Sequence, residues 1–233
     1  MDEIQKHLLE VKDNLPPQVS LVAVSKYHPA TAIMSAYDAG QRIFGESRVQ
    51  ELQEKQAVLP SDIEWHFIGH LQANKIKYIA PYISLIHAVD SERLLAEIDR
   101  QGARFADERV NRGLTPQIPI LLQLHVAQEA TKFGLSCAEC RELLEKGDWR
   151  KLQHVSIAGI MCMASNTDNE DQIRAEFKQA HDFFNEAKRD FFANAPAFSI
   201  CSWGMSGDYP IAIQHGATHV RVGSYIFGSR NAG

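Results

Sequence analysis

Eight short apolar segments alternate along this chain with segments of helical spacing, and this alternation limits the fold more than any other feature. Unbroken apolar runs are typical of strands that are buried on both faces. We predict strands over 20–26, 42–44, 64–69, 85–89, 118–126, 156–161, 197–200 and 218–222. We predict helices over 2–13, 31–39, 48–58, 74–78, 91–104, 136–146, 169–192 and 208–215. The order predicts an α/β fold, a single (β/α)8 TIM barrel with an extra N-terminal helix, and one domain over 1–233.

Capping residues and polar stretches set several boundaries of this pattern. Ser47 is the predicted N-cap of the third helix, Asp90 or Ser91 that of the long fifth helix, and Ser136 that of the sixth. Residues 106–117 are polar and contain Gly and Pro, so we predict a surface excursion there.

A doubly wound open sheet is the alternative architecture for strands that alternate with helices. Eight strands favour the closed barrel over the open sheet. In addition, no Gly-x-Gly-x-x-Gly motif follows the first strand, so the usual dinucleotide fingerprint is absent.

Composition excludes several classes of function. The chain of 233 residues is 45% hydrophobic, with a net charge of -5, which argues against a broad nucleic-acid surface. No apolar run approaches the roughly 20 residues that span a membrane. The start, Met1–Lys6, lacks the features of a signal peptide, so we expect a cytoplasmic protein.

We interpret the Cys137-x-x-Cys140 motif as reduced thiols on one side of a helix, because no second pair accompanies it.

A lysine ends the first strand, in the run Ser20-Leu21-Val22-Ala23-Val24-Ser25-Lys26. In a barrel Lys26 lies at the carboxyl end of its strand, where βα loops build active sites. The alternative is a lysine that extends from the strand end into solvent.

Two loops rich in Gly and Ser follow the last two strands, at 201–208 and 221–228. Backbone N–H groups in such loops bind anions, and in barrels the loops after strands seven and eight often hold phosphate. Ordinary turns are the alternative for either loop. On adjacent strands, the two loops together favour a phosphate site.

Arg221 alternates with two valines, so it faces opposite to them. If it points into the barrel, it needs an acceptor. A ligand ring nitrogen is one candidate, and a salt bridge with a barrel carboxylate such as Glu46 is the other. A lysine amine close to a phosphate site also suggests a Schiff base with a phosphorylated aldehyde. Pyridoxal 5′-phosphate (PLP) fits, with Lys26 as the imine nitrogen.

One motif of the chain is highly specific: Trp65-His66-Phe67-Ile68-Gly69-His70-Leu71-Gln72-Ala73-Asn74-Lys75. It is accompanied in order by the segments 22–26, 44–51, 87–91, 159–161, 204–208, 220–224 and 226–228. Together these motifs resemble the pyridoxal phosphate homeostasis proteins, which are similar to the barrel half of alanine racemase.

The resemblance implies that Lys26 carries the cofactor, with Ser206, Gly223 and Ser224 around its phosphate and Arg221 near the pyridine nitrogen. The family usually has asparagine near the cofactor at the position of Ser47. The shorter Ser47 therefore leaves that contact to water or loses it.

The segment 124–132 also departs from the family pattern. It carries His125 where an asparagine is common, and it retains Lys132, which in this family has been considered a second acceptor for the cofactor.

Two classes of function remain, a carrier of PLP that is not an enzyme and an amino-acid racemase. Racemases of this fold add a second domain that presents a catalytic tyrosine, and two-base racemisation needs that second proton donor. The chain ends directly after the last barrel motif, so we expect the carrier. A phosphosugar isomerase is a third possibility, but this sequence offers no clear glutamate that could act as its base.

We expect a monomer without catalytic or metal residues, whose partners are PLP and PLP-dependent apo-enzymes.

Overall fold

The structure, a computed structural model, describes residues 1–128 and 133–228. Its strands are β1 Ser20–Val24, β2 Ile43–Glu46, β3 Glu64–Phe67, β4 Ile83–Val89, β5 Ile118–Leu124, β6 Val155–Cys162, β7 Ile200–Met205 and β8 His219–Val222. Its α-helices are α1 Glu3–Asp13, α2 Ala30–Asp38, α3 Val49–Gln56, α4 Glu92–Asn111, α5 Cys137–Lys146, α6 Glu170–Phe191, α7 Tyr209–Gln214 and α8 Ser224–Phe227. Two 3₁₀ helices cover Ala73–Tyr78 and Asp148–Lys151.

The eight strands form a closed parallel barrel in sequence order. β1 pairs with β2 on one side and with β8 on the other, and Val22 lies opposite Arg221 in the β1–β8 register. The predicted (β/α)8 barrel with an extra N-terminal helix is therefore confirmed. Because all strands are parallel, their carboxyl ends, and the loops that follow them, share one mouth of the barrel.

Alternation along the strands divides the apolar residues into two layers. Phe44 and Trp65 pack outward in one cluster with helix residues such as Leu52. Leu121 and Met161 belong to a separate buried cluster. Since successive side chains point to opposite faces, this second cluster lies in the barrel interior.

Strand β7 corrects the predicted boundaries. We predicted a strand over 197–200 and a loop from Cys201, but β7 runs from Ile200 to Met205. Cys201 and Trp203 are buried in the outer cluster, and Ser202 between them is fully buried. Ser202 and Gly204 are residue types typical of loops. The helices nevertheless bury this segment, and it forms a strand.

Helix α4 also corrects the predicted boundaries. It continues to Asn111 through much of the polar stretch 106–117 that we predicted as a surface excursion. Of its two predicted caps, Asp90 and Ser91, the structure confirms Ser91, because the hydroxyl accepts from the amide of Leu94 at 3.3 Å.

Two further predicted caps have opposite outcomes. The cap at Ser136 is confirmed, because its hydroxyl accepts from the amide of Glu139 in a capping box. The cap at Ser47 is wrong, because Arg48 holds the N-cap position of α3 and makes no side-chain cap bond. Helix α8 after the last strand was not predicted.

In the described part of the chain, no helix is both long and apolar enough to cross a membrane. All four cysteines lie in that part and are unpaired, and burial raises the pKa of the Cys140 thiol to about 12. The described residues contain no group of three or more side chains suited to hold a metal ion.

Candidate cofactor site

Lys26 lies in a turn at the mouth of the barrel, two residues beyond the last residue of β1. The amide of His28 donates to the carbonyl of Ser25 at 3.1 Å and closes the turn around Lys26. Tyr27 has a φ of 68°, in the left-handed region. A residue with a Cβ pays about 1–2 kcal/mol there, so other contacts must hold the turn.

Side chains from β2 and α3 supply those contacts. Glu51 accepts a hydrogen bond from the amide of Tyr27 at 2.6 Å, and Lys55 donates to the carbonyl of Ser25 at 2.8 Å. Lys55 also forms salt bridges with Glu46 and Glu51, each at 2.7 Å. Burial raises the pKa of the Glu46 carboxyl, and the neighbouring Lys55 ammonium opposes that rise.

The two Gly- and Ser-rich loops meet beside β1. The hydroxyl of Ser206 accepts a hydrogen bond from the amide of Gly223 at 3.3 Å. Gly223 packs so closely on β1 that a Cβ there would lie 2.9 Å from the carbonyl oxygen of Val24. Ser224 follows as the first residue of α8, whose N-terminus has no side-chain cap. The structure thus brings three predicted phosphate ligands next to the strand that leads to Lys26.

The loop after β7 is held by Asp208, which has the N-cap position of α7. Its carboxylate makes no cap bond to the helix and instead accepts from the amide of Met205 at 2.5 Å. This bond closes the loop on itself and leaves the Ser206 hydroxyl for the β8 loop.

Arg221 points into the barrel and is 4% exposed. Its guanidinium donates to the carbonyl oxygen of Ser202 at 2.7 Å, to the hydroxyl of the same residue at 2.6 Å, and to the carbonyl of Cys162 at 2.9 Å. The alternative salt bridge with Glu46 is wrong, because Glu46 pairs with Lys55. Burial lowers the pKa of Arg221 from its usual value.

Histidines extend this polar interior behind Arg221. His87 lies between Ser202 Oγ at 2.9 Å and His66 Nδ1 at 3.0 Å, and the rings of His66 and His219 stack 6.2 Å apart. Burial lowers the pKa of His66 to about 3 and that of His219 to about 4, and it lowers the pKa of His87 well below its usual value. These imidazoles are therefore neutral at physiological pH and contribute hydrogen bonds without added charge.

Ser47 is separated from the other predicted ligands. It packs against Gly69 and lines a cleft of about 1400 Å³ together with Tyr27, Arg48 and Lys75. The other predicted cofactor residues, all in the described ranges, do not line this cleft. The predicted site at the two loops and this cleft are therefore distinct features of the barrel mouth.

The predicted second acceptor, Lys132, lies outside the described residues. His125 is described, and its amide donates to the carbonyl of Leu135 at 2.8 Å. This bond ties the end of β5 to the segment that precedes α5.

Sequence reasoning missed the supporting residues Ser202, Lys55 and Glu51. The spacing of Glu51 and Lys55, four apart on a helix, is typical of an ion pair and was available as a signal. It does not indicate, however, that this pair turns toward the end of β1. Ser202 gave no signal, because its segment was assigned to a loop.

Comparison with known proteins places this geometry in a family. The family model described as "Alanine racemase, N-terminal domain" matches residues 1–231. The pyridoxal phosphate homeostasis protein of Aquifex aeolicus is 34% identical over 211 residues, which cover 90% of this chain and 86% of the relative. That of Escherichia coli strain K12 is 33% identical over 246 residues, which cover 99% and 98%. The chain belongs to the pyridoxal phosphate homeostasis proteins. The resemblance predicted from the motifs is thereby confirmed.

Solved structures agree with this membership in the pyridoxal phosphate homeostasis proteins. PipY of Synechococcus elongatus, with PLP bound, is 37% identical, has a TM-score of 0.83, and is matched over 97% of this chain and all of its own. Alanine racemase of Bartonella henselae, at 17% identity and a TM-score of 0.66, shares the fold, and this chain covers 61% of it.

Proposed function

We propose that this protein binds PLP as a Schiff base on Lys26 and takes part in the homeostasis of that cofactor. One observation carries the proposal: Gly223, in the predicted phosphate loop, packs on Val24, two residues before Lys26. The loop therefore packs against the strand end that carries Lys26, which is the arrangement expected where one small ligand contacts both. PipY, which has PLP bound, and the names of the curated relatives support the same ligand.

The residues present fit the chemistry of this cofactor. PLP would supply an aldehyde that the amine of Lys26 could bind covalently, with release of one water and no need of an oxidant or reductant. The hydroxyls of Ser206 and Ser224 and the backbone of Gly223 would hold its phosphate. Arg221 would lie near the pyridine nitrogen and, as a permanent cation, would keep that nitrogen unprotonated.

Ser47 completes the proposed set from the end of β2, the strand next to β1. Its side chain is shorter than the asparagine usual in the family, so we propose that it reaches the cofactor through water.

We further propose a carrier that is not an enzyme, with one cofactor domain over 1–233, acting as a monomer in the cytoplasm. The curated relatives are named as homeostasis proteins. The unpaired thiols fit a reducing compartment. The exchange partners in this proposal are PLP-dependent apo-enzymes.

The Lys26 tether is tested by the Lys26→Ala variant. The wild type should turn yellow on addition of PLP, and borohydride reduction should fix the adduct on the peptide that contains Lys26. The variant should lose both signals, whereas Lys12→Ala, which removes a lysine bonded to the carbonyl of Gly40, should keep them. A colourless wild type that takes up no PLP would sink the proposal.

The carrier is separated from a racemase by two assays on the PLP-loaded protein. We expect no racemisation of alanine or other amino acids above background, and turnover of about 1 s⁻¹ or more would favour the racemase. We also expect the loaded protein to reactivate a PLP-dependent apo-enzyme, timed against free PLP.

A further inference from the structure

Helix α3 reaches back to the peptide groups on both sides of Lys26. Lys55 Nζ lies 2.8 Å from the carbonyl oxygen of Ser25, and a carboxylate oxygen of Glu51 lies 2.6 Å from the amide of Tyr27. The backbone before and after Lys26 is thus held by two side chains one helical turn apart. The helix follows β2, so these contacts fasten the end of β1 to its neighbour in the barrel.

A buried ammonium joins these contacts into one unit, which we call the α3 clamp and define as Lys55, Glu46 and Glu51. Their side chains are 7%, 0% and 20% exposed, respectively. One oxygen of Glu46 accepts from both Lys55 and the hydroxyl of Ser25, the latter at 2.5 Å. Removal of the ammonium would leave two carboxylates side by side in a poorly solvated place, so the clamp functions only when complete.

The hydrogen bonds of Lys55 account for every donor of its ammonium. Its ammonium has three acceptors, the carbonyl of Ser25 and one carboxylate oxygen each of Glu46 and Glu51. An ammonium carries three donors, so this group is fully used. An amine held this way serves to orient the turn and is a poor nucleophile.

The left-handed conformation of Tyr27 shows what the clamp holds in place. Rotation of this residue to a negative φ would break the bond from its amide to Glu51 and redirect the chain after Lys26. The bond therefore fixes a turn that the backbone would not choose by itself.

We propose that Lys55, through the α3 clamp, is a positioning residue that orients the amine of Lys26 toward the loops after β7 and β8. This inference rests on the proposed function, since it assigns Lys55 a role in cofactor binding at Lys26. The clamp itself needs no cofactor and can be tested separately.

The first test measures hydrogen exchange of the Tyr27 amide in the cofactor-free protein. Lys55→Met removes the charged partner of Glu51, the residue that accepts from the Tyr27 amide. It should therefore speed this exchange about tenfold or more. Ile98→Ala is the matched control, because it opens a buried site on α4, a helix that packs on β5, β6 and the two 3₁₀ helices. It should leave the Tyr27 rate unchanged under conditions in which both variants are folded.

The second test measures PLP binding by absorbance and by mapping of the borohydride-reduced adduct. Lys55→Met should raise the Kd for PLP about tenfold and slow Schiff base formation. Lys55→Arg, which keeps the charge, should recover part of the loss. The control Ile98→Ala should bind as the wild type does, although its unfolding midpoint is lower.

The outcomes separate the clamp from the proposed function. Unchanged Tyr27 exchange in Lys55→Met overturns the clamp, as does a wild-type adduct on Lys55 in place of Lys26. Faster exchange in a protein that takes up no PLP supports the clamp and overturns the proposed function. If Lys55→Met does not fold, Glu51→Gln weakens the same acceptor on a less buried side chain and must speed the same exchange.

Discussion

Neutral histidines in the barrel interior make the stability of the folded protein depend on pH. His66 has a pKa of about 3 and His219 of about 4 in the folded protein, because burial disfavours their charged forms. In the unfolded chain both titrate near 6.5. Between the folded and the unfolded pKa values, the unfolded chain therefore binds protons at these histidines and the folded protein does not. The stability that the neutral histidines contribute is present above about pH 6.5 and is lost as the pH falls toward the folded values.

The pH effect predicts a stability loss that depends on His66. When the pH falls from 7.5 to 5, protonation of His66 in the unfolded chain should lower the free energy of unfolding by about 2 kcal/mol. His66→Gln keeps a polar group beside His87 but cannot titrate, so its loss should be smaller by that amount. Urea unfolding at both pH values measures the difference, with His154→Gln as a control at a half-buried histidine. Equal losses in wild type and His66→Gln would contradict this account.

At the scale of elements, α4 is fastened to the amino-terminal end of the barrel by Arg109. This residue is 1% exposed and donates to four carbonyl groups. Two of these carbonyls belong to Ala80 and Ile83, at the start of β4, and the others follow α4. Burial lowers the pKa of Arg109 to about 10, which leaves it charged at neutral pH.

Arg109→Met is therefore expected to destabilise the protein by about 3 kcal/mol, since it leaves buried carbonyls without a donor. Arg112→Met, which removes a largely exposed pair with Glu108, should change stability by less than about 0.5 kcal/mol. Guanidinium unfolding midpoints compare the two variants. A similar cost for both would show that the carbonyl contacts of Arg109 add little.

For the molecule as a whole, periodicity in the sequence was sufficient to predict the barrel, because eight alternations leave few ways to bury the strands. It was also sufficient to predict that Lys26 and the two loops lie at the same mouth of the barrel, because they follow strands whose carboxyl ends meet there. It could not predict the α3 clamp, because Lys55 and Ser25 meet only through tertiary packing. It missed β7 beyond Ile200, because the buried polar Ser202 is stabilised by a hydrogen bond from Arg221, which lies far away in sequence.

The pairing of β1 with β8 has a consequence for synthesis of the protein. Ribosomes add about 5–20 residues per second, so roughly 10–40 s separate the emergence of Lys26 from that of Gly223. During that interval the nascent chain displays the lysine without the loop that packs beside it. In the proposed function, the first and last strands must join before Lys26 and the β8 loop can hold one ligand, so loading with PLP would follow translation.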